Sequence, residues 1–313
     1  MTAATSPVDA APAIEVSETS RWYGNVVAVN DISFTVGPGI TGLLGPNGAG
    51  KSTLLHMLAG FLRPSSGTVR ILGAPAWQNP GLYQQVGIVQ ERESVYDGLT
   101  GYEFVRLSAR LHHLPDVEAA TRLAIDRVQM ETAQGRKTGG YSKGMKQRIK
   151  IAAAIVHDPP VLLLDEPFNG TDPAQRLQMM DLLRRMAAEG RTILFSSHIL
   201  EEVERLAERV LVIVSGRLAA AGDFRAIRRL MTDRPHTFAI VSSDNRALAS
   251  ALLADDSVTG AQIDGERITV RADDFERFTV HAPRIARSAG VTITEVDTLD
   301  ESLESVFEYL VQR

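Results

Sequence analysis

The chain has 313 residues, of which 44% are hydrophobic, and it carries a formal net charge of −5 with no cysteine. This length and apolar content predict a folded protein of one large or two ordinary domains. The lack of cysteine excludes disulfides and thiolate metal sites, and the chain has no basic face typical of a general nucleic-acid binder.

Two further classes are not favoured by the sequence. The apolar runs fall well short of the ~20 residues of a membrane-spanning helix, so we expect no transmembrane segment. The opening stretch "MTAATSPVDAAPA" has neither basic residues nor an apolar core, which does not match a secretory signal. We therefore expect residues 1–13 to form a disordered tail.

Short apolar runs alternate with helical stretches between residues 14 and 231. The run "GITGLLG" predicts a strand that enters a glycine loop, and strand-length runs recur in "TVRILG", "VGIVQ", "PVLLLD", "RTILFSS" and "RVLVIVSG". The last four are almost continuously apolar, which indicates strands buried on both faces. This alternation predicts a first domain of the α/β class with a mainly parallel sheet.

Residues from about 91 to 158 interrupt the alternation, because no run in this stretch is typical of a strand. Ala120, Leu123, Ala124 and Val128 recur at helical spacing, and "IAAAIV" continues a helical pattern. We therefore predict an α-helical insert within the α/β domain.

In residues 232–313 the pattern of strands and helices restarts, which predicts a second, smaller domain. Their order is strand, helix, a hairpin around Asp264-Gly265, a second helix and a strand, which is typical of a ferredoxin-like α+β domain. Because proline is unfavourable inside a helix, we expect the second helix to begin near Pro283. A last amphipathic helix is predicted from four apolar residues at helical spacing: Leu303, Val306, Phe307 and Leu310.

The segment "GPNGAGKST" matches the phosphate-binding loop G-x-x-x-x-G-K-[ST], and it follows a predicted strand and precedes a predicted helix. Its backbone N–H groups can cradle phosphates, while Lys51 supplies charge to the β/γ oxygens and Ser52 a hydroxyl to Mg²⁺. A plain glycine turn is the alternative. The predicted nucleotide-binding residues here are Gly45, Pro46, Asn47, Gly48, Ala49, Gly50, Lys51, Ser52 and Thr53.

Four polar residues follow predicted buried strands. In "VLLLDEP", Asp165 and Glu166 follow four apolar residues. Asp165 suits the Mg²⁺ shell, and Glu166 can activate a water for attack on the γ-phosphate. Such a pair taken alone more often begins a solvated loop, but the upstream phosphate loop favours catalysis. His198 and Gln90 end two other strands, at the edge where doubly wound sheets bind ligands. His198 can hold the γ-phosphate and that water, and Gln90 can reach Mg²⁺.

Over residues 14–230, the order and spacing of these motifs resemble the ATP-binding cassette (ABC) family. The resemblance implies that Gln90 is the Q-loop residue and His198 the switch histidine. It also implies that Asp172 in "NGTDP" belongs to the D-loop, and that Tyr23 in "RWYGNVVAV" stacks on adenine. An ordinary strand aromatic is the alternative for Tyr23.

"YSKGM" occupies the place of the family's signature, commonly LSGGQ, with Lys143 and Met145 as departures. Thr171 departs mildly from the D-loop pattern. In this family two cassettes face each other head to tail, so the resemblance implies that Ser142 and Gly144 contact the ATP of a partner cassette. The form "YSKGMKQR" is similar to single-cassette proteins that pair with a separate permease, often a drug, antibiotic or polysaccharide exporter.

The resemblance therefore implies a Mg²⁺-dependent ATPase that dimerises around two ATP and drives a membrane permease. The expected second cassette is another copy of the chain, and a different cassette is the alternative. The resemblance also implies a place at the cytoplasmic face of the membrane, with residues 90–100 as the coupling segment and no nucleic-acid partner. A soluble cassette ATPase acting on nucleic acid or ribosomes is one alternative, and an ATP sensor without turnover is another. The C-terminal domain is expected to regulate, to aid dimerisation or only to stabilise the chain.

Overall fold

The computed structural model of the protein describes residues 12–91, 95–223 and 236–299. The chain divides into two compact units, Met1–Gly222 and Asp223–Arg313. Most of the predicted tail, the predicted boundary at residues 231 and 232, and the predicted helix containing Leu303 lie outside the described residues.

A six-stranded sheet forms the centre of the first unit, in the order β10-β9-β3-β8-β7-β6. All neighbouring strands pair in parallel except β10, which is antiparallel to β9. Every residue of β7 and β8 is buried, as the continuous apolar runs predict. The strands are β3 (Gly39–Leu44), β6 (Val86–Val89), β7 (Val161–Asp165), β8 (Thr192–Ser197), β9 (Arg209–Val214) and β10 (Arg217–Gly222). The mainly parallel α/β sheet is confirmed.

A second sheet of the first unit is antiparallel, in the order β2-β1-β4-β5, and the sequence analysis did not separate it from the first. Its pairing is antiparallel throughout, with irregular register between Val16 and Trp22 on β1. Strand β2 contributes Ala28 to the surroundings of the phosphate loop, as described below. The strands are β1 (Ile14–Tyr23), β2 (Val26–Val36), β4 (Ser66–Ile71) and β5 (Ala74–Pro75).

Polar side chains begin most of the helices of the first unit. Thr100 and Glu103 form a capping box on α2, and Asp116 caps α3. Ser142 caps α4, and Asp172 caps α5 ahead of a proline. The helices are α1 (Lys51–Leu58), α2 (Gly101–Leu111), α3 (Val117–Arg127), α4 (Lys143–Ile155), α5 (Pro173–Ala188) and α6 (Leu200–Leu206).

The predicted helical insert is confirmed by α2, α3 and α4. Within the described part of residues 91–158, the only β-type pairing is an isolated bridge between Thr100 and Lys137. Of the apolar residues whose spacing predicted a helix here, Leu123 is 53% exposed, whereas Thr121 and Ile125 are fully buried. The Thr121 hydroxyl donates to the Val117 carbonyl one turn earlier, which satisfies its polar group inside the core.

The second unit contains a four-stranded antiparallel sheet in the order β12-β13-β11-β14, with two described helices. The succession strand, helix, strand, strand, helix, strand confirms the ferredoxin-like expectation. Its core includes the fully buried Phe238, whose ring centroid lies 4.3 Å from that of Phe278. The elements are β11 (His236–Ser242), α7 (Asn245–Leu252), β12 (Val258–Asp264), β13 (Arg267–Ala272), α8 (Phe275–Ser288) and β14 (Ile293–Thr298).

The expectation that α8 begins near Pro283 was wrong. The helix begins at Phe275, where the Asp274 side chain caps it, and Pro283 lies in its interior. Phe278, Ala282 and Ala286 recur on the buried side of α8. The cap and this burial therefore outweigh the local cost of the proline. No helix among the described residues is long and apolar enough to cross a membrane.

Candidate nucleotide site

The phosphate loop runs from the end of β3 to the start of α1 and is packed closely against two other strands. Gly50 has φ +105°, a conformation that residues with a Cβ rarely adopt. A Cβ at Gly50 would overlap the Ala28 carbonyl oxygen on β2, and one at Gly45 would overlap the Ile213 carbonyl oxygen on β9. Glycine is therefore required where the loop backbone meets these strands.

Lys51 is the first residue of α1, and only 7% of it is exposed. Its Nζ donates to the Gly45 carbonyl at 2.7 Å and to the Pro46 carbonyl at 3.3 Å, so the loop curls around its own cation. Burial lowers the pKa of Lys51, while the nearby carboxylates of Glu166 and Asp165 oppose that shift. The ammonium group is thus already positioned beside the loop that would hold the phosphates.

The hydroxyl of Ser196 on β8 forms hydrogen bonds with both Asp165 and Glu166, at the ends of two neighbouring strands. Asp165 is the last residue of β7, and its Oδ1 accepts a hydrogen bond of 2.6 Å from Ser196 Oγ on β8. The backbone N–H of Glu166 donates to the same Oγ at 2.9 Å. Ser196 is fully buried and is the register partner of Asp165. A single β8 side chain therefore contacts both residues of the acidic pair.

Glu166 and His198 form a close pair. Glu166 Oε1 lies 2.9 Å from His198 Nδ1, and Glu166 adopts the left-handed φ of 48°. Glu166 is 8% exposed, and this burial raises the pKa of its carboxyl, although His198 and Lys51 oppose the shift. The His198 side chain is 44% exposed. A buried carboxylate with raised proton affinity, held by an accessible imidazole, can accept a proton from a bound water.

A crevice of about 590 Å³ brings many of the predicted residues together, and its size is typical of a ligand site. It contains the loop, both members of the Glu166–His198 pair, and residues from β2 and the segment after β7. Its lining residues are Ala28, Asn47, Gly48, Ala49, Gly50, Lys51, Ser52, Thr53, Glu91, Glu166, Asn169 and His198.

A second crevice of about 580 Å³ contains all three predicted metal-binding residues, Ser52, Gln90 and Asp165. It shares Ser52 and Glu91 with the first crevice. Hydroxyl, amide and carboxylate oxygens are the hard ligands that Mg²⁺ prefers. The described residues contain no cluster of three or more His, Asp or Glu that could hold a metal alone. This donor set fits Mg²⁺, which takes most of its other ligands from water and substrate phosphates.

Apart from Gly45 and Pro46 at the start of the phosphate loop, four predicted binding residues line neither crevice: Tyr23, Ser142, Gly144 and Asp172. Tyr23 ends β1, is 46% exposed, and has the Arg21 guanidinium carbon 4.6 Å from its ring centroid. Ser142 Oγ accepts from the Met145 N–H as the cap of α4, and Asp172 caps α5. The structure therefore places these residues outside the crevices around this chain's own phosphate loop.

Several residues that contact the site were not predicted. Besides Ser196, Gln147 Nε2 donates to the Glu166 carbonyl at 3.4 Å, and Lys150 Nζ donates to the Gln90 carbonyl at 2.7 Å. Both are buried on α4, three residues apart. The sequence pattern that predicts them is the helical spacing of Gln147 and Lys150 with the apolar Ile151, which places all three on one side of the helix.

The parallel sheet, the glycine loop between β3 and α1, and the carboxylate at the end of β7 define the fold of a phosphate-binding-loop nucleoside triphosphatase. Residues 29–169 match the family model described as ABC transporter. An uncharacterised ABC transporter ATP-binding protein of Nostoc is 41% identical over 214 residues, covering 66% of this chain. The alignment spans 64% of that relative, slightly less than two thirds of its length.

Two relatives with assigned names are aligned over more of the chain. The bacitracin transport ATP-binding protein of Enterococcus faecalis is 34% identical over 302 residues, covering 95% of this chain and 96% of that protein. The daunorubicin/doxorubicin resistance ATP-binding protein of Streptomyces peucetius is 35% identical and covers 83% of each.

Solved structures show the same fold. An ATP-binding subunit of an ABC transporter superposes with a TM-score of 0.65 at 32% identity, covering 69% of this chain and 92% of that one. A dimeric bacterial ABC transporter cassette gives 0.63 at 23% identity, covering 67% and 98%, which supports the fold alone. The chain belongs to the family of ABC transporter ATP-binding proteins, and the resemblance seen in the motifs is confirmed.

Proposed function

We propose that this chain is the Mg²⁺-dependent ATPase subunit of an ABC exporter, which dimerises around two ATP and drives a separate membrane permease. The observation that carries the proposal is the Glu166–His198 pair, with its 2.9 Å contact, in the same crevice as Lys51 and the glycine loop. This arrangement combines a phosphate-binding cation with a carboxylate able to activate water, which a nucleotide sensor without turnover does not need.

In this proposal the residues that line the two crevices have separate parts in hydrolysis. Lys51 and the loop N–H groups would hold the β- and γ-phosphates. Ser52, Gln90 and Asp165 would hold Mg²⁺, which would neutralise charge on the phosphate oxygens. Glu166 accepts the proton of the attacking water. His198, bonded to Glu166 through Nδ1, keeps that carboxylate oriented, and its exposed side can reach the γ-phosphate.

The dimer is proposed from the residues that line neither crevice. Ser142 and Gly144 lie at the N-terminal end of α4, and Asp172 lies at that of α5. A helix N-terminus presents free N–H groups and a positive partial charge, which favours an anion there. We infer that this anion is the γ-phosphate bound by a second copy of the chain. Tyr23, exposed on β1, is proposed to stack on adenine in the chain's own site.

The transport role is proposed from the relatives, whose names refer to bacitracin transport and to daunorubicin and doxorubicin resistance. A permease partner places the chain at the cytoplasmic face of the membrane, and no nucleic-acid partner is proposed. Residues 90–100 are the proposed coupling segment, in which residues 92–94 lie outside the described part of the chain. We propose an accessory role for residues 232–313.

Phosphate release by the purified chain with MgATP tests the enzymatic part of the proposal. Glu166→Gln keeps the shape of the side chain but removes the base, so turnover should fall by at least about 100-fold while ATP binding persists. Lys51→Ala should lose both. Glu201→Gln is the matched control, because Glu201 is an exposed carboxylate three residues after His198. Absence of turnover in the wild-type chain would favour an ATP sensor, and equal turnover in Glu166→Gln and the control would contradict the proposed role of Glu166.

A further inference from the structure

The two hydrogen-bond partners of the Ser196 hydroxyl, at the end of β8, determine where it acts as donor and where it acts as acceptor. It lies 2.6 Å from Asp165 Oδ1 and 2.9 Å from the backbone nitrogen of Glu166, in a fully buried position. An ionised carboxylate can only accept a hydrogen bond, and a backbone N–H can only donate one. Ser196 must therefore donate its single hydroxyl proton to Asp165 and accept the hydrogen bond from the N–H of Glu166.

The next residue, Ser197, is also buried but cannot replace it. Successive side chains of a strand point to opposite faces. Ser197 Oγ accordingly donates to Glu202 Oε2 at 2.6 Å, away from the acidic pair. The two adjacent hydroxyls of "FSSH" thus have different partners, and only Ser196 reaches both Asp165 and Glu166.

This contact leaves the two oxygens of Asp165 in different situations. Oδ1 accepts from Ser196, whereas Oδ2 has no hydrogen-bond partner in the described part of the chain. Asp165 lines the second crevice together with Ser52 and Gln90. Rotation of the carboxylate about its χ2 angle would break the 2.6 Å bond. Ser196 therefore restrains the orientation of the carboxylate and leaves one of its two equivalent oxygens available to the crevice.

The same hydroxyl also restrains Glu166. The backbone of Glu166 has φ +48°, which residues with a Cβ adopt only where their surroundings hold them. The bond from its N–H to Ser196 is one such restraint, and the carboxylate of the same residue meets His198. Loss of the hydroxyl would leave a buried N–H group without this acceptor.

We propose that Ser196 is a positioning residue, which orients the Asp165 carboxylate toward Mg²⁺ and holds the turn that presents Glu166. This inference rests on the proposed function as a Mg²⁺-dependent ATPase. Residues that orient a metal ligand through a hydrogen bond typically change metal affinity by about 10- to 100-fold when they are replaced. We expect a loss in this range for Ser196→Ala.

Electron paramagnetic resonance of Mn²⁺, titrated into the full chain with ATP, measures this metal affinity directly. Ser196→Ala should bind Mn²⁺ at least about 10-fold more weakly. Its ATP affinity in EDTA should match that of the wild-type chain, since Lys51 and the loop are unchanged. Ser196→Thr keeps the hydroxyl and should recover most of the metal affinity. The Mg²⁺ concentration for half-maximal hydrolysis should rise in parallel in Ser196→Ala.

Ser197→Ala is the matched control, because it removes the adjacent buried hydroxyl and should leave Mn²⁺ affinity unchanged. Wild-type Mn²⁺ affinity in Ser196→Ala, or an equal loss in Ser197→Ala, would overturn the inference. If Ser196→Ala does not fold, Ser196→Cys keeps the volume with a weaker donor and should still lose affinity severalfold. An unchanged affinity in that variant refutes the proposal. A wild-type chain that binds no Mn²⁺ with ATP would contradict the proposed function itself.

Discussion

The buried carboxylate of Glu202 on α6 connects two segments that flank the proposed site, and its removal should destabilise the first unit. Its Oε2 accepts from Ser197, the residue before His198. Its Oε1 lies 3.3 Å from Nε of Arg176, in the first turn of α5 after Asp172. We predict that Glu202→Ala loosens both contacts together.

The loss in the free energy of unfolding of Glu202→Ala comes from these two contacts. The bond between Ser197 and the ionised carboxylate is worth about 1.5–3 kcal/mol. The ion pair adds little, about 0–1 kcal/mol, because the Arg176 side chain is 31% exposed and can be solvated again. Relief of the desolvation of a buried charge offsets part of the total. We therefore expect a loss of about 2 kcal/mol, equivalent to a fall in Tm of about 4–8 °C for a unit of this size.

Thermal unfolding followed by circular dichroism measures the change in Tm. Glu201→Ala is the matched control, since Glu201 is an exposed carboxylate on the same helix and should change stability by about 0.5 kcal/mol or less. A Tm for Glu202→Ala that equals the Tm of the control would refute the reasoning from burial and hydrogen bonding.

Three further predictions concern the site and the domain organisation. Burial raises the pKa of the Glu166 carboxyl, so a pH–rate profile should show turnover falling on acidification at a higher pH than the ~4.3 of an ordinary glutamate; a constant rate down to that pH contradicts this. Gly50→Ala should abolish binding of a fluorescent ATP analogue, because its Cβ would overlap the Ala28 carbonyl oxygen at φ +105°; wild-type affinity would show that the loop can shift. Deletion from Thr232 onward should leave a folded chain that binds ATP, and an insoluble product would indicate that the two regions share a core.

Much of the proposed site could be predicted because its motifs are local and the sheet is parallel. Gln90 and His198 directly follow β6 and β8, and Asp165 is the last residue of β7. These three strands are neighbours in the sheet. The carboxyl ends of parallel strands lie at one edge of a sheet, so these side chains are brought together by topology. The fold class follows from the same alternation of strand and helix.

Contacts that depend on register could not be predicted in this way. The bond from Ser196 to Asp165 requires that these two residues be opposite each other on neighbouring strands, which the apolar pattern does not specify. Helical spacing predicted a helix around Leu123 but could not specify that Thr121 occupies the core while Leu123 is exposed. The interior position of Pro283 depends on a cap at Asp274, nine residues earlier.

In the proposed dimer two copies of the chain enclose ATP, with Ser142 of one copy at the phosphate held by the other. Size-exclusion chromatography with light scattering on Glu166→Gln, with and without MgATP, measures whether this dimer forms. The proposal predicts twice the 34.0 kDa mass of one chain when MgATP is present. Adding Ser142→Arg should restore the single-chain mass while each copy still binds ATP through its own loop. A Glu166→Gln variant that stays single with ATP bound, or a Ser142→Arg variant that cannot bind ATP at all, would contradict the proposal.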